Sequence, residues 1–152
     1  MSQPVIRLME MKDRDAIIEF YHNMAADSRM FFNRGRGNEL STLRFFDHTE
    51  LKQKLHWVGD DDGRIAGYVF LYDTDTMIPW LGIAVAEYMR GKHFGEQLIR
   101  TAEKWARDNG KGGLLLTTHM ANIRAQTLYE RCGFRRLGVH SETNELLYLL
   151  RF

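Results

Sequence analysis

Residues 78–118 carry the pattern that most restricts how this chain can fold. Two apolar runs, residues 78–85 and 114–118, are typical of strands, and a helical pattern over residues 94–109 lies between them. Apolar side chains recur along one face of that helix, while charged pairs such as Glu103 and Arg107 occupy the other face. A helix with one apolar face between two strands is expected to cover a sheet, which indicates a fold of mixed helices and strands.

The rest of the chain predicts further elements around this unit. The run GDDDG at residues 59–63 is a strong turn signal and predicts a hairpin between its flanking strands. We predict strands over residues 5–9, 55–58, 64–72, 135–139 and 145–152, and helices over residues 13–23, within 39–55 and over 122–132. The predicted fold class is α+β, with a central, mostly antiparallel twisted sheet of about six to seven strands flanked by about four helices. A single domain spanning residues 1–152 suits this length.

Charge and cysteine content exclude several classes of protein. The formal net charge is +1, which gives no overall attraction to nucleic acid or to a membrane. The single cysteine, Cys132, leaves no internal disulfide and no cysteine-rich zinc site. The sequence shows neither a signal peptide nor an apolar run of membrane-spanning length. We therefore expect a cytoplasmic protein without nucleic-acid, membrane or metal partners.

The stretch YMRGKHFGEQLI, residues 88–99, places two glycines and three basic side chains at the start of the predicted helix. Gly91 and Gly95 let the backbone approach a ligand closely, and a helix start offers unpaired N–H groups that favour an anion. Arg90 and Lys92 add positive charge. These features predict a phosphate or pyrophosphate cradle, although a plain turn also explains the loop when it is taken alone. The spacing matches neither a Walker A loop nor a dinucleotide fingerprint.

A second pattern, ANIRAQTLYERCGF at residues 121–134, follows the next strand. Its first asparagine suits a helix N-cap and its glycine a helix end. Together the two segments resemble the GNAT superfamily of acetyl-CoA-dependent N-acetyltransferases, and the resemblance covers residues 78–137. The family pattern V-x-P-x-x-R-G-x-G-x-G/A reads here as Val85, Glu87, Arg90, Gly91, His93 and Gly95. The pattern N-x-x-A-x-x-L-Y-x-x-x-G-F is filled by Asn122, Ala125, Leu128, Tyr129, Gly133 and Phe134.

The resemblance implies a fold and an activity. The fold would be GNAT-like, with the fourth and fifth strands splayed apart. The activity would be direct transfer of an acetyl group from acetyl-CoA to a primary amine of a small molecule, an amino acid or a peptide. An acyl-CoA-binding sensor or scaffold domain without turnover is the alternative, and a nucleotide- or RNA-binding domain is a third reading. The apolar closing strand, ELLYLLRF, would permit a homodimer through the sheet edge.

The resemblance also implies roles for individual residues. Backbone groups near Ile83 and Val85 would bond the pantetheine arm together with Asn122, and Tyr129 would protonate the leaving thiolate as general acid. The implied cofactor-binding residues are Ile83, Val85, Arg90, Gly91, Lys92, His93, Phe94, Gly95, Asn122 and Tyr129. Glu87 stands in place of the family's proline and His93 in place of a glycine. Whether His93 merely occupies the loop or contacts the phosphates is left open.

The sequence leaves the general base and the acceptor open. His119 ends the fifth predicted strand, and histidine has an intrinsic pKa suited to a base. Glu87 is near the acyl end in sequence, and Asp73 and Asp75 belong to a turn that could border the acceptor cleft, although turn chemistry explains them equally well. His48 and Glu50 are the remaining candidates.

Overall fold

The computed structural model describes residues 3–24, 26, 46 and 54–152. Seven strands form one sheet in the order β1-β2-β3-β4-β5-β7-β6. The strands are β1 (Val5–Leu8), β2 (Leu55–Asp61), β3 (Arg64–Tyr72), β4 (Trp80–Val85), β5 (Gly113–Thr118), β6 (Arg135–Val139) and β7 (Leu146–Arg151). The described α-helices are α1 (Arg14–His22), α2 (Phe94–Asp108) and α3 (Ile123–Arg131), and Met11–Asp13 and Glu87–Met89 each form a short 3-10 helix.

Neighbouring strands of the sheet are antiparallel, except that β4 and β5 run parallel. The parallel pair arises because α2 connects β4 to β5 and carries the chain back to the end of the sheet at which β4 began. The mixed α+β class with a mostly antiparallel sheet is confirmed. The helix predicted within residues 39–55 lies outside the described residues.

Helices cover the sheet on two faces, each with its own apolar cluster. On one face α2 and α3 pack on the sheet through buried side chains that include Leu98, Ile99 and Tyr129. On the other face α1 contributes Ile17 and Phe20 to a separate cluster. The helical period predicted for residues 94–109 is thus the buried stripe of α2.

The prediction that the whole GDDDG run is a turn is wrong for its first three residues. Gly59, Asp60 and Asp61 belong to β2, and Asp62 and Gly63 turn the chain, with φ of 50° and 90°. A Cβ on Gly59 would lie 2.3 Å from Phe94 Cζ, so this glycine makes room for an aromatic ring from the start of α2. Because Gly59 has no side chain, the start of α2 packs directly on the sheet.

The prediction that the closing strand could form the sheet edge is also wrong. β7 lies between β5 and β6 and pairs with both, so its backbone groups are used inside the sheet. The outer strand at this end is β6, where Leu137 and Val139 are exposed. In the part of the chain that is described, no helix is long and apolar enough to cross a membrane.

β4 and β5 separate soon after they begin. Within residues 54–152 their pairing is limited to Trp80 and Leu115, supported by a hydrogen bond of 2.9 Å from the Leu115 amide to the Pro79 carbonyl. Beyond this point the two strands diverge toward their carboxyl ends. The predicted splay of the fourth and fifth strands is therefore present, and it opens a gap in the middle of the sheet.

Candidate functional site

A cavity of about 640 Å³ occupies the gap between β4 and β5. Its walls include Phe70 and Ala84 from the α1 side of the sheet, and Leu81, Phe94 and Tyr129 from the α2 side. The cavity therefore joins the two faces of the sheet through the gap. Two molecules that enter from opposite faces could meet there.

All of the predicted cofactor-binding residues line this cavity except Lys92, which is exposed beside it. They come from three parts of the chain: the diverging end of β4, the loop before α2, and the first turns of α3. The sequence patterns that lie apart in the chain thus surround one space.

The loop before α2 offers a series of backbone amides. Among the described residues, the amides at positions 91–96 donate no backbone hydrogen bond, and the first bonded amide is that of Gln97, 3.3 Å from the His93 carbonyl. Gly91 has a φ of 77°, a left-handed conformation that a glycine adopts without strain. The loop thus presents N–H groups and the positive end of the α2 dipole at one end of the cavity.

His93 takes the backbone conformation that glycine favours. Its φ is 62° and its ψ is 18°, in the left-handed region, directly before the first residue of α2. The side chain is 69% exposed, and its Nδ1 lies 4.0 Å from Glu96 Oε2. The histidine therefore keeps the loop geometry that a glycine would give, at some cost in backbone strain, and its ring is largely in solvent.

Asn122 caps α3 and keeps one polar group free for another partner. Its Oδ1 accepts a hydrogen bond from the Ala125 amide at 3.3 Å, which is the expected N-cap interaction. No acceptor for its Nδ2 group occurs among the described residues, and the residue lines the cavity. The side-chain NH₂ group can therefore donate to a ligand in the cavity.

Tyr129 places a buried phenol in the cavity wall. The residue is 7% exposed, its ring packs 6.0 Å from that of Phe134, and its hydroxyl has no hydrogen-bond partner among the described residues. Burial is the main cause that raises the pKa of Tyr129 well above its usual range, and the charge of Glu145 raises it further. The phenol thus stays protonated, and its proton is available to a group in the cavity.

His119 lines the cavity, and one nitrogen of its ring is already hydrogen-bonded. Its Nδ1 accepts a hydrogen bond from the Ala121 amide at 3.0 Å, so the neutral ring carries its proton on Nε2. The other predicted base candidates lie elsewhere. The side chain of Glu87 is 65% exposed, and Asp73 and Asp75 sit in the turn after β3 and do not line the cavity. His48 and Glu50 lie outside the described residues.

Glu145 is a cavity residue that sequence reasoning missed. It directly precedes β7, is 6% exposed, and its Oε1 accepts a hydrogen bond of 3.1 Å from Thr117 Oγ1. In the sequence it was only the first residue of an apolar strand. A charged residue at the start of such a run was the one available signal, and it does not reveal that β7 begins against a gap in the sheet.

The cavity offers three kinds of surface to a ligand. The loop amides suit the anion, the open backbone of β4 suits an amide-containing arm, and the apolar walls suit the arm's methylene groups. In the described part of the chain, no group of three His, Cys, Asp or Glu side chains is placed to hold a metal ion.

Comparison with known protein sequences agrees with this geometry. A family model described as "Acetyltransferase (GNAT) family" matches residues 17–134. "Probable N-acetyltransferase family 8 member 5" of Mus musculus is 32% identical over 104 residues, which cover 63% of this chain and 45% of that protein. "Uncharacterized N-acetyltransferase YvbK" of Bacillus subtilis is 35% identical over 80 residues, or 52% of this chain and 50% of that protein. The chain thus spans half or less of these curated relatives.

Comparison with solved structures shows the same fold. The GNAT domain of S. lividans PAT superimposes with a TM-score of 0.82 at 12% identity, covering 97% of this chain and 89% of that one. The Thermoplasma acidophilum paia N-acetyltransferase, solved in complex with coenzyme A, gives a TM-score of 0.77 at 18% identity over the full length of both chains.

Proposed function

Because the chain belongs to the GNAT acetyltransferase family, we propose that it transfers an acetyl group from acetyl-CoA directly to a primary amine. One observation carries the proposal: a single cavity through the sheet has an amide-rich helix start at one end and the protonated phenol of Tyr129 in its wall. The first feature suits the donor's phosphates, and the second suits its leaving sulfur.

The loop before α2 would hold the pyrophosphate. The amides at positions 91–96 are free to donate, and Arg90 adds a positive charge in the cavity wall. This binding uses backbone groups, so it tolerates His93 in place of glycine as long as the left-handed conformation is kept.

The pantetheine arm would lie along the diverging end of β4. Backbone groups of Ile83 and Val85 face a gap instead of a neighbouring strand there, and Asn122 Nδ2 can donate from the opposite wall. An arm with two amide groups would satisfy these donors and acceptors as a paired strand does.

Tyr129 would act on the leaving group. As the amine attacks the thioester carbonyl, the carbon–sulfur bond breaks and negative charge develops on sulfur. The Tyr129 phenol can donate its proton there, which stabilises the thiolate and completes its release. Binding both substrates in one cavity would also speed the reaction, because it holds the amine close to the thioester carbonyl.

His119 is a candidate proton acceptor for the amine. To act as a base, its Nδ1 would have to give up the hydrogen bond from the Ala121 amide. The alternative function, an acyl-CoA-binding domain without turnover, uses the same cavity but gives the buried Tyr129 phenol no role. We propose that the reaction takes place in the cytoplasm, where the fold, with Cys132 as a buried thiol, needs no disulfide.

Two measurements test the proposal. Acetyl-CoA should raise the melting temperature of the protein, because it binds only the folded state, while ATP and NAD should not. A panel of primary amines and lysine-containing peptides should then release CoA thiol in an acetyl-CoA-dependent assay. The family function would be ruled out for this chain if no CoA thioester changed the melting temperature.

A further inference from the structure

Glu145 is a buried carboxylate without a cationic partner among the described residues. Its one side-chain hydrogen bond comes from the neutral Thr117 hydroxyl at 3.1 Å, and no lysine, arginine or histidine of the described chain forms an ion pair with it. The residue is 6% exposed and lines the cavity.

Such a carboxylate is unfavourable for the folded protein unless something else is gained. A buried charge is normally paired with an opposite charge, because the solvation lost on burial exceeds what one neutral hydrogen bond returns. Within the described part of the chain, the other carboxylate of comparable burial is Asp13, which follows this rule and binds Arg7 at 2.7 Å. Glu145 does not follow this rule. It lines the cavity, however, so a cation that enters the cavity as part of a ligand could become its partner.

The lining of the cavity that Glu145 shares indicates which cation fits. The cavity wall on the α1 side of the sheet includes Met24, Phe70 and Tyr72, and Phe70 is 2% exposed. These side chains suit the apolar body of a ligand, and aromatic faces also attract cations. Tyr129, the proposed donor to sulfur, lines the same cavity. Glu145 shares this cavity with Tyr129 and its charge acts on the Tyr129 phenol, so an ammonium group held by the carboxylate would be within reach of a thioester in the cavity.

We propose that Glu145 binds the acceptor's ammonium group and takes its proton, and that the acceptor is a primary amine carried on an apolar or aromatic body. This inference rests on the proposed function and names the residue that prepares the nucleophile.

The step balances in atoms and electrons. One N–H bond of the ammonium breaks, its proton passes to a Glu145 oxygen, and the freed lone pair forms the bond to the acetyl carbon. The carbon–sulfur bond then breaks and sulfur keeps its electron pair. Sulfur receives the Tyr129 proton, and the new amide nitrogen returns its extra proton to Tyr129. Acetyl-CoA and the ammonium thus give an acetamide, CoA thiol and one proton, which Glu145 releases to water.

The first test uses the free protein and needs no turnover. Glu145→Gln keeps the shape and the hydrogen bond to Thr117 but removes the unpaired charge, so its melting temperature should equal or exceed that of wild type by up to about 3 °C. 2-Phenylethylamine should raise the melting temperature of wild type but not of Glu145→Gln, and uncharged 2-phenylethanol should not separate the two proteins. A melting temperature several degrees lower in Glu145→Gln, or an equal response of both proteins to the amine, would overturn the proposal.

The second test uses an amine that the acetylation panel has identified. Glu145→Gln should lower kcat about 100-fold, in the range of a lost general base, and leave acetyl-CoA affinity within about twofold. The matched control is Glu142→Gln, an exposed glutamate of the preceding turn, which should keep wild-type turnover. An unchanged kcat in Glu145→Gln would remove its role as proton acceptor. Loss of the melting shift with acetyl-CoA itself, in wild type, would instead count against the proposed function.

Discussion

Gly95 lies directly against Leu128: a Cβ added to this glycine would be 3.0 Å from Leu128 Cδ2. The two residues belong to different sequence patterns, one at the start of α2 and the other in α3. Their contact explains why a glycine is needed at this position, where the two helices meet beside the cavity.

Gly95→Ala tests this contact. The added methyl group would push the Leu128 side chain by a few tenths of an ångström, and the cavity beside Leu128 gives it room to move. We expect the free energy of unfolding to stay within about 1 kcal/mol of wild type, because alanine is the better helix former. We expect acetyl-CoA affinity to fall about tenfold, since Leu128 would enter the donor's space. Isothermal titration with Gly95→Ala, Leu128→Ala and the double variant measures the coupling, and additive effects would contradict it.

His93→Gly should stabilise the loop slightly without weakening donor binding. Glycine adopts the observed φ of 62° without strain, and this outweighs its added freedom in the unfolded chain, for a gain of up to about 1 kcal/mol. Acetyl-CoA affinity should change less than about threefold, because backbone amides do the binding. Urea unfolding and titration with acetyl-CoA measure the two quantities.

The matched control for this prediction is His93→Ala, which keeps the strained conformation and removes the imidazole. It should resemble wild type in both measurements, because the ring is mostly exposed. If both variants lost donor affinity by a large factor, the imidazole would contact the donor and the loop geometry alone would be an insufficient account.

Tyr129→Phe should lower turnover about 100-fold and leave the protein as stable as wild type or slightly more so. The hydroxyl has no partner among the described residues, so its removal breaks no hydrogen bond. The control is Tyr148→Phe, also buried, whose hydroxyl donates to Glu130 at 3.1 Å and accepts from Arg136 at 3.1 Å. It should lose about 1–2 kcal/mol in unfolding and keep its turnover. The opposite pattern would remove the proposed role of Tyr129.

Arg7 should control how stability falls in acid. Burial alone would raise the pKa of Asp13, but hydrogen bonds from Arg7 and the Glu10 amide outweigh it and hold the pKa below its usual value. The Gly63 amide, and then Arg7, lower the pKa of Asp60 in the same way. The folded protein therefore binds these protons less tightly than the unfolded chain does. Their stabilisation is complete above about pH 4 and is lost as the pH falls below it.

Arg7→Gln should lower the free energy of unfolding by about 2 kcal/mol near pH 7 and flatten its decline below pH 4, because Asp13 would be buried without its partner. Urea unfolding between pH 3 and pH 7 measures both effects. Arg14→Gln is the control, since among the described residues Arg14 pairs only with the exposed Asp15, at 3.5 Å, and its replacement should change little. An acid decline as steep in Arg7→Gln as in wild type would show that other carboxylates cause it.

Much of the fold could be predicted because local patterns decide it. The helical period after residue 94, the cap at Asn122 and the left-handed Gly133 mark their elements within a residue or two. Gly59 could not be assigned correctly, because the ring that requires this glycine lies 35 residues away in the chain. The position of β7 inside the sheet is likewise a matter of strand order, which an apolar run does not carry.

In the candidate site, too, features with a local sequence pattern could be predicted and features that depend on distant contacts could not. The donor side could be predicted, because a helix start with glycines has a local signature in the sequence. Glu145 could not, since its importance comes from its burial, its hydrogen bond from Thr117 and the absence of an ion-pair partner among the described residues. Those are properties of the assembled sheet and leave no spacing to recognise.

The pairing of β4 with β5 through Trp80 and Leu115 alone, among the described residues, also has a mechanical consequence. The sheet thus consists of two parts, β1–β4 and β5–β7, which pair where β4 and β5 begin and are separated toward the carboxyl ends of these strands. On the proposed function, an arm bonded along β4 would brace the open end as an extra strand does. Amide hydrogens of residues 82–85 would then exchange more slowly while the donor is bound, and the enzyme would be most rigid while both substrates are held and loosest after the thiol departs.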